Sequence, residues 1–169
     1  MTTPPEPWRA AARARIARSI TSIAIHCTAT KAGRPVTAAE VRVWHLAKGW
    51  SDIGYHFVVR LDGTIEIGRP KWIPGAHVQG FNAQSIGVVY AGGLAADGKP
   101  ADTRTPAQKA ALLDLLAELK AAHPLAVIKG HRDYSPDRNR NGTIEPNEWL
   151  KACPCFDAIP EYAAVRPAA

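Results

Sequence analysis

Two helices with clear starting signals divide the apolar segments of this sequence, which restricts the chain to folds where helices and strands alternate. Thr37 and Glu40 have capping-box spacing, and this predicts a helix that runs to about Gly49. Thr105 and Gln108 have the same spacing with a proline between them, and they open the run KAALLDLLAELKAA. This run continues to the next proline and is the clearest helix prediction in the chain.

Short apolar segments around these helices have the character of strands. The segment SIAIHCTA alternates with the two-residue period of a strand and carries His26 near its end. Two later segments are joined by Asp62-Gly63, a dipeptide typical of hairpin turns. The predicted strands cover residues 22–29, 54–61, 64–67, 85–90 and 126–129. The sequence therefore predicts one α/β domain with a central mixed β-sheet flanked by helices.

The charge of the chain is basic, with a formal net charge of +6 from 21 Lys and Arg against 15 Asp and Glu. Such an excess favours an anionic partner (nucleic acid, a membrane surface or an acidic wall polymer), although solubility alone also accounts for it. No segment is apolar enough to span a bilayer, and the N-terminus lacks the apolar core of a signal peptide. Arginines among alanines predict a short basic surface helix in an N-terminal extension over 1–19, followed by the domain over 20–169.

The cysteines and histidines raise the question of a metal site. Cys27, Cys153 and Cys155 are an odd number without the spacing of a disulfide framework. His26 and His131 each lie at the end of a predicted strand, where functional groups are often mounted. A catalytic zinc ion takes about three ligands from such residue types and keeps one position for water. From the residues alone, each of these side chains is more often structural than a metal ligand, and Cys155 competes with Cys153 as the third ligand.

A series of short motifs gives these candidates a context. IHCTAT, GWSDIGYHF, GAHVQGFN, SIGV, TPAQ, GHRD and KACPCFD occur in this order over about residues 20–157. The set resembles the type 2 N-acetylmuramoyl-L-alanine amidases, most closely the phage amidase-type lysozymes, with peptidoglycan recognition proteins as more distant relatives. The resemblance implies an amidase-like fold. It also implies a zinc ion (Zn²⁺) that is held by His26, His131 and Cys153.

The same resemblance implies roles for four further residues. Tyr55 of the GYHF segment and Lys151, two residues before the metal cysteine, match catalytic residues of the phage members. His77 and Asn82 of GAHVQGFN match a segment that lines the substrate groove. Without the resemblance, Tyr55 would be interpreted as a half-buried strand aromatic. Cys155 stands where the phage pattern has a small residue.

The implied activity is hydrolysis of the amide bond between N-acetylmuramic acid and L-alanine in peptidoglycan. We expect a phage-type endolysin, made in the cytoplasm without a signal peptide, which acts on the wall from the periplasm after release. We expect a monomer with peptidoglycan as its partner and no nucleic acid. The alternatives are a bacterial wall-recycling or toxin amidase, and a non-catalytic peptidoglycan-binding module. The presence of Tyr55, Lys151 and Cys153 together argues against the last of these.

One motif lies outside the amidase pattern. The segment 137–148, DRNRNGTIEPNE, matches the calcium-loop pattern D-x-[DN]-x-[DN]-G-x5-E at every defined position. It predicts an EF-hand-like loop for a structural calcium ion (Ca²⁺), inserted between two of the zinc ligands, although a polar surface loop could match by accident. Because Pro136 blocks an entering helix, we expect an isolated loop and not a paired hand. The predicted calcium ligands are Asp137, Asn139, Asn141, Thr143 and Glu148, with Glu145 acting directly or through water.

Overall fold

In the computed structural model, which describes residues 6–169, strands and helices alternate along the chain. The strands are β1 (Ser22–Cys27), β2 (Thr30–Lys31), β3 (Phe57–Val59), β4 (Ile65–Ile67), β5 (Ser85–Tyr90), β6 (Gly93–Leu94) and β7 (Val127–Gly130). The α-helices are α1 (Pro7–Arg13), α2 (Ala38–Ala47), α3 (Pro106–Ala122) and α4 (Ala158–Tyr162). Short 3-10 turns cover Asn82–Gln84, His131–Tyr134 and Pro146–Glu148.

The central sheet is mixed, as predicted, and has the strand order β4-β3-β5-β1-β7. β1 pairs in parallel with β5 on one side and with β7 on the other, and β3 is also parallel to β5. β4 runs antiparallel to β3. A separate parallel pair of two-residue strands, β2 and β6, is absent from the sequence prediction because segments this short carry no periodicity.

Apolar side chains pack on both faces of the sheet. Ile23 and Ile25 of β1 belong to the larger cluster, which includes Leu112 and Leu116 of α3. Val89 of β5 belongs to a second cluster on the opposite face, together with residues of α2. Because successive side chains of a strand point to opposite faces, His26 leaves β1 on the side away from α3.

The two capped helices begin where the sequence predicts, but their caps differ. In α3, the Thr105 hydroxyl accepts the N–H of Gln108, whose side chain accepts the N–H of Thr105 in return. In α2, Thr37 accepts the N–H of Glu40, while the Glu40 carboxylate pairs with Arg34 and does not return to the cap. The ion pair between Glu40 and Arg34 thus takes the place of the second hydrogen bond of the predicted capping box.

The predicted strand at 54–61 is shorter in the structure, where β3 covers only Phe57–Val59. The preceding residues are still held by backbone hydrogen bonds, since Tyr55 accepts the N–H of Arg69 and His56 donates to Gly87. This part of the chain is therefore fixed to the sheet while departing from regular strand geometry.

The basic N-terminal segment contains the predicted helix, α1, but this helix is more than a surface feature. Trp8 and Ala12 are buried in the larger apolar cluster, packed with α3. Beyond the helix, the Arg18 guanidinium donates to the carbonyl oxygens of Lys71 and Ala83. The first five residues of the predicted extension lie outside the described part, and its boundary at residue 19 stays a prediction.

Within residues 6–169, no helix combines the length and the apolarity that crossing a membrane requires.

The contact between α1 and α3 includes a buried carboxylate. Glu118 is 3% exposed and accepts hydrogen bonds from Arg9, at 2.6 Å, and from Arg13. Burial acts to raise the pKa of Glu118, but the bonds from Arg13 and Arg9 prevail and hold it below its usual value. The carboxylate is therefore charged at neutral pH and contributes to the stability of the fold.

We expect Glu118→Gln to lower the free energy of unfolding at pH 7 by about 1–2 kcal/mol, because the amide loses two charge-assisted bonds to partly exposed arginines. Since the folded pKa is depressed, this contribution is present above the unfolded pKa of about 4.3 and is lost as pH falls through the folded value. Urea denaturation at pH 7 and at pH 3 measures the difference. Asp114→Asn, whose carboxylate is exposed and 3.5 Å from Arg9, is the control with a smaller effect. Equal losses in both variants would contradict the assignment.

Candidate metal centre

Parallel pairing of β1 with β7 places two histidines side by side. Ile25 of β1 pairs with Gly130, the last residue of β7, so the residues that follow them, His26 and His131, lie next to each other at the carboxyl ends of these strands. Their ring centroids are 4.7 Å apart and the rings meet at 68°. The sheet itself therefore brings the two predicted zinc ligands together.

The segment around Cys153 crosses the carboxyl ends of three strands and is hydrogen-bonded at each. The backbone N–H of Cys27, at the end of β1, donates to Cys153 Sγ at 3.3 Å. The N–H of Arg132, which follows β7, donates to the Cys153 carbonyl oxygen at 2.8 Å. The hydroxyl of Tyr90, at the end of β5, donates to the Pro154 carbonyl oxygen at 2.7 Å. These three bonds fix where the cysteine lies.

The three predicted zinc ligands, His26, His131 and Cys153, form a compact group, which we call the metal group. Cys153 Sγ lies 3.8 Å from His26 Nδ1, and one ligand atom each of His26, His131 and Cys153 lie within 4.8 Å of one another. Ligand atoms around a tetrahedral zinc ion are roughly 3–4 Å apart, so small side-chain rotations close the set. Among residues 6–169, this is the one group of three or more His, Cys, Asp or Glu side chains with such spacing. Cys155 is outside it, with its Sγ 3.8 Å from Cys27 Sγ.

Both histidines have the protonation state that a metal needs. Burial lowers the pKa of His26 far below its usual value, and the neighbouring His77 and His131 lower it further. Burial also lowers the pKa of His131 to about 4, with a contribution from the positive charge of Lys151. At neutral pH the rings are therefore neutral and each offers a lone pair. Two nitrogens and one sulfur are a donor set that suits zinc.

Tyr55 and Lys151 flank this group. The Tyr55 ring centroid is 5.0 Å from that of His26. Burial, with smaller contributions from the Cys153 and Cys27 thiols, raises the pKa of Tyr55, so its hydroxyl stays protonated. Lys151 is exposed and lines the same cleft as His131. Lys151 therefore lies at the cleft, whereas Tyr55 lies beside His26 behind the lining residues. Their catalytic roles stay predictions.

His77 and Asn82 lie in the wall of the cleft but are held by the protein itself. His77 Nδ1 is 3.1 Å from His26 Nε2, and the residue is 8% exposed. Asn82 Oδ1 accepts the backbone N–H groups of His77 and Val78, each at 2.9 Å. Their predicted role in substrate binding stays a prediction.

A cleft of about 560 Å³ opens beside the metal group, a size typical of ligand sites. Its lining includes three residues that the sequence analysis did not single out, namely Trp50, Tyr134 and Leu150. Trp50 lies in the motif GWSDIGYHF and Tyr134 follows GHRD, so their position in or next to a motif could have indicated that they line the cleft. Leu150 is adjacent to Lys151 but has no local pattern that distinguishes it from a core residue.

The segment 137–148 is an ordered loop closed by its own side chains. The Asp137 carboxylate accepts the N–H groups of Asn141 and Gly142, at 3.2 and 2.8 Å. Glu148, at the far end, accepts the N–H of Arg138 at 2.7 Å. Gly142 has a φ of 84°, in the left-handed region that the calcium-loop pattern reserves for glycine. Its carboxylates do not form a metal group of three in the described chain, and calcium binding stays a prediction.

The other predicted calcium ligands bond within the same loop. Asn139 Nδ2 donates to Glu145 at 2.9 Å, and Asn141 Oδ1 accepts the N–H of Thr143 at 2.8 Å. Asn139 Oδ1 accepts the N–H of Asn141 at 3.0 Å.

Comparison with known proteins decides the family. A model of the N-acetylmuramoyl-L-alanine amidase family matches residues 16–148. This chain belongs to that family. The matched part contains His26, Tyr55 and His131 and ends before Lys151 and Cys153. Family membership supports peptidoglycan amidase activity.

Individual relatives of this chain support the same family assignment. It is 44% identical to the endolysin of Enterobacteria phage K11 over 133 residues, 79% of each protein. It is 40% identical to the endolysin of Escherichia phage T7 over 139 residues, 82% of this chain and 83% of the relative. The solved N-acetylmuramoyl-L-alanine amidase LysC from Clostridium intestinale is 26% identical, with a TM-score of 0.67 over 89% of this chain and 88% of LysC. The resemblance seen in the motifs and the amidase-like fold are confirmed.

The two nearby cysteines give a matched test of the ligand set. We expect Cys153→Ser to lower zinc affinity by more than the roughly 10–100-fold typical of a residue behind the ligands, because a serine hydroxyl is a poor zinc ligand. Cys155→Ser, the same change two residues away, should keep zinc. Metal analysis after dialysis and competition with a chromophoric chelator measure both. Loss of zinc from Cys155→Ser and retention by Cys153→Ser would reverse the assignment.

Proposed function

We propose that this chain is a zinc-dependent N-acetylmuramoyl-L-alanine amidase that acts as a phage-type endolysin. The observation that carries the proposal is the convergence of His26, His131 and Cys153 beside an open cleft, in a member of the amidase family. The similarity to phage endolysins, at 40–44% identity over most of the chain, supports the endolysin role. We infer that the protein is made in the cytoplasm, acts on the wall after release and works as a monomer.

The metal group and its neighbours suit hydrolysis of an amide. When bound, zinc supplies a Lewis acid for the amide carbonyl and lowers the pKa of the attacking water towards about 7. Lys151, a cation in the cleft, can stabilise the negative charge that develops on the carbonyl oxygen. Tyr55, whose hydroxyl stays protonated, can orient the water or donate a proton to the departing amine.

The cleft suits a polymer that combines sugar and peptide. Trp50, Tyr134 and Leu150 give it apolar surface, and Lys151 gives it positive charge. The net charge of +6 favours approach to an anionic wall. The bond that is cleaved lies at the junction of the two chemistries, between N-acetylmuramic acid and L-alanine.

Digestion of purified peptidoglycan tests the activity. We expect mass spectrometry to detect new L-alanine amino termini, and kcat to fall about 100- to 1000-fold in Lys151→Ala, because a stabilising charge is lost. Tyr55→Phe should lower kcat about 100-fold or more. Lys109→Ala, on an exposed surface of α3, is the control with unchanged activity.

Two outcomes would contradict the proposal. Release of reducing sugar ends would identify a glycosidase. Binding of peptidoglycan without any released product, by the zinc-loaded protein, would identify a non-catalytic binding module.

We further propose that the loop 137–148 binds a structural calcium ion. The match of its sequence to a calcium loop supports this, as does its closed conformation, in which Glu148 returns to the backbone at Arg138. The loop connects β7 to the segment that carries Cys153. Ordering it would therefore reduce the conformational entropy lost when the third zinc ligand is placed.

Thermal unfolding with zinc present, with calcium or with a calcium-selective chelator, tests the loop. At a calcium concentration about 100-fold above Kd, binding should add about 2.7 kcal/mol and raise Tm by roughly 5–10 °C. Glu148→Gln should lose this response. Asp97→Asn, in another exposed turn, should keep it. An unchanged Tm in the wild-type protein on adding calcium would rule the ion out.

A further inference from the structure

His77 lies behind a zinc ligand and is not used in the proposed reaction. We propose that His77 is a positioning residue for the metal: it accepts a hydrogen bond from His26 Nε2 and so presents His26 Nδ1 to the ion. The inference rests on the zinc centre proposed above. It gives His77 a role in holding the metal, in place of contact with substrate.

The two ring nitrogens of His26 face different partners. Nδ1 lies 3.8 Å from Cys153 Sγ, on the side of the metal group. Nε2 lies 3.1 Å from His77 Nδ1, in a contact where both rings are buried. Only one nitrogen of a neutral imidazole carries a proton, so the partner at Nε2 decides which lone pair is free.

A chain of contacts from Ser85 through His77 to His26 supports one assignment of the ring protons. The Ser85 hydroxyl donates to the carbonyl oxygen of Phe81 at 2.8 Å, so its oxygen is left to accept. His77 Nε2 lies 3.5 Å from Ser85 Oγ, a long contact in which the ring nitrogen is the donor, and on this basis we assign the proton of the His77 ring to Nε2. His77 Nδ1 is then an acceptor and His26 Nε2 is the donor to it. This arrangement leaves the lone pair of His26 Nδ1 directed at the metal group.

The His77 ring is fixed by its surroundings. A Cβ added at Gly75 or at Gly87 would come closer than 3.0 Å to the ring, so glycine is required at both positions. His56 packs against the ring edge with centroids 5.6 Å apart, and Asn82 accepts the backbone N–H of His77. A ring held in this way is suited to orienting another side chain and has little freedom to adapt to a ligand.

The chemistry of His77, as well as its position, affects the properties of a metal bound by His26. A carboxylate behind a zinc histidine would add negative charge and make the ligand more basic. A neutral imidazole orients His26 without adding charge. With one thiolate already among the ligands, the neutral partner keeps the metal more electrophilic, as polarisation of an amide carbonyl requires.

A pair of variants of similar size tests the acceptor. Asn and Leu have nearly the same shape, but only Asn offers an acceptor oxygen close to the place of His77 Nδ1. We expect His77→Leu to lower zinc affinity about 10- to 100-fold, as for other residues behind metal ligands, and His77→Asn to recover most of it. The affinity is measured by competition with a chromophoric chelator. The visible spectrum of the cobalt-substituted protein should change in His77→Leu and return towards wild type in His77→Asn.

The controls separate metal positioning from folding. His123→Leu and His123→Asn make the same changes at a histidine at the end of α3, and both should bind zinc like wild type. Thermal unfolding of each metal-free variant reports any loss of packing. If His77→Leu does not fold, NMR of the imidazole nitrogens in zinc-loaded wild type gives the answer directly. A proton on His77 Nε2 and on His26 Nε2 is expected.

The outcomes of these experiments distinguish the proposal of a zinc centre from the proposal that His77 positions His26. Wild-type protein that fails to bind zinc in a Cys153-dependent way overturns the zinc centre itself. Tight wild-type binding with no loss in His77→Leu, or with equal losses in His77→Leu and His77→Asn, overturns the role of His77 alone. A proton found on His77 Nδ1 does the same.

Discussion

The parallel pairing of β1 with β7 is the interaction on which the site depends. Its register pairs Ile25 with Gly130, so that the residues that follow them, His26 and His131, meet at the carboxyl ends of the two strands. A slip of one residue would turn His26 to the opposite face, where β1 packs on the apolar side chains of α3. The burial of both faces of the sheet therefore protects the metal group, because an imidazole among leucines would lose its hydrogen bonds.

The sequence predicts the parts of the fold that local chemistry decides. The caps at Thr37 and Thr105 mark the helix starts because each is a contact between residues three apart. The strand at Ser85–Tyr90 is predicted with its observed bounds because it is a continuous apolar run. The burial of Trp8 against α3 is missed, since a tryptophan among arginines gives no local sign of a partner 100 residues away.

Local sequence patterns predict only part of the site, and the histidines of the chain show why. His45 Nδ1 accepts the N–H of Gly54 at 2.8 Å, and His56 Nδ1 accepts the N–H of Gly87 at 2.9 Å. These rings satisfy backbone groups, whereas His26 and His131 face Cys153. Neighbouring residues in the sequence do not distinguish a histidine that accepts a backbone N–H from one that faces Cys153, because contacts between residues distant in sequence decide which role it has. The family motifs supplied the distinction, and the fold gives its physical reason.

The distance along the chain between the ligands has a consequence for biosynthesis. His26 and Cys153 are 127 residues apart, so at roughly 5–20 residues per second they leave the ribosome about 6–25 seconds apart. β1, β3 and β5 can pair during this interval, whereas the cysteine and the strand ends it crosses come together only afterwards. Assembly of the three-residue group is therefore a late event for each nascent chain, and a polypeptide that stops before Cys153 has only two of its three side chains.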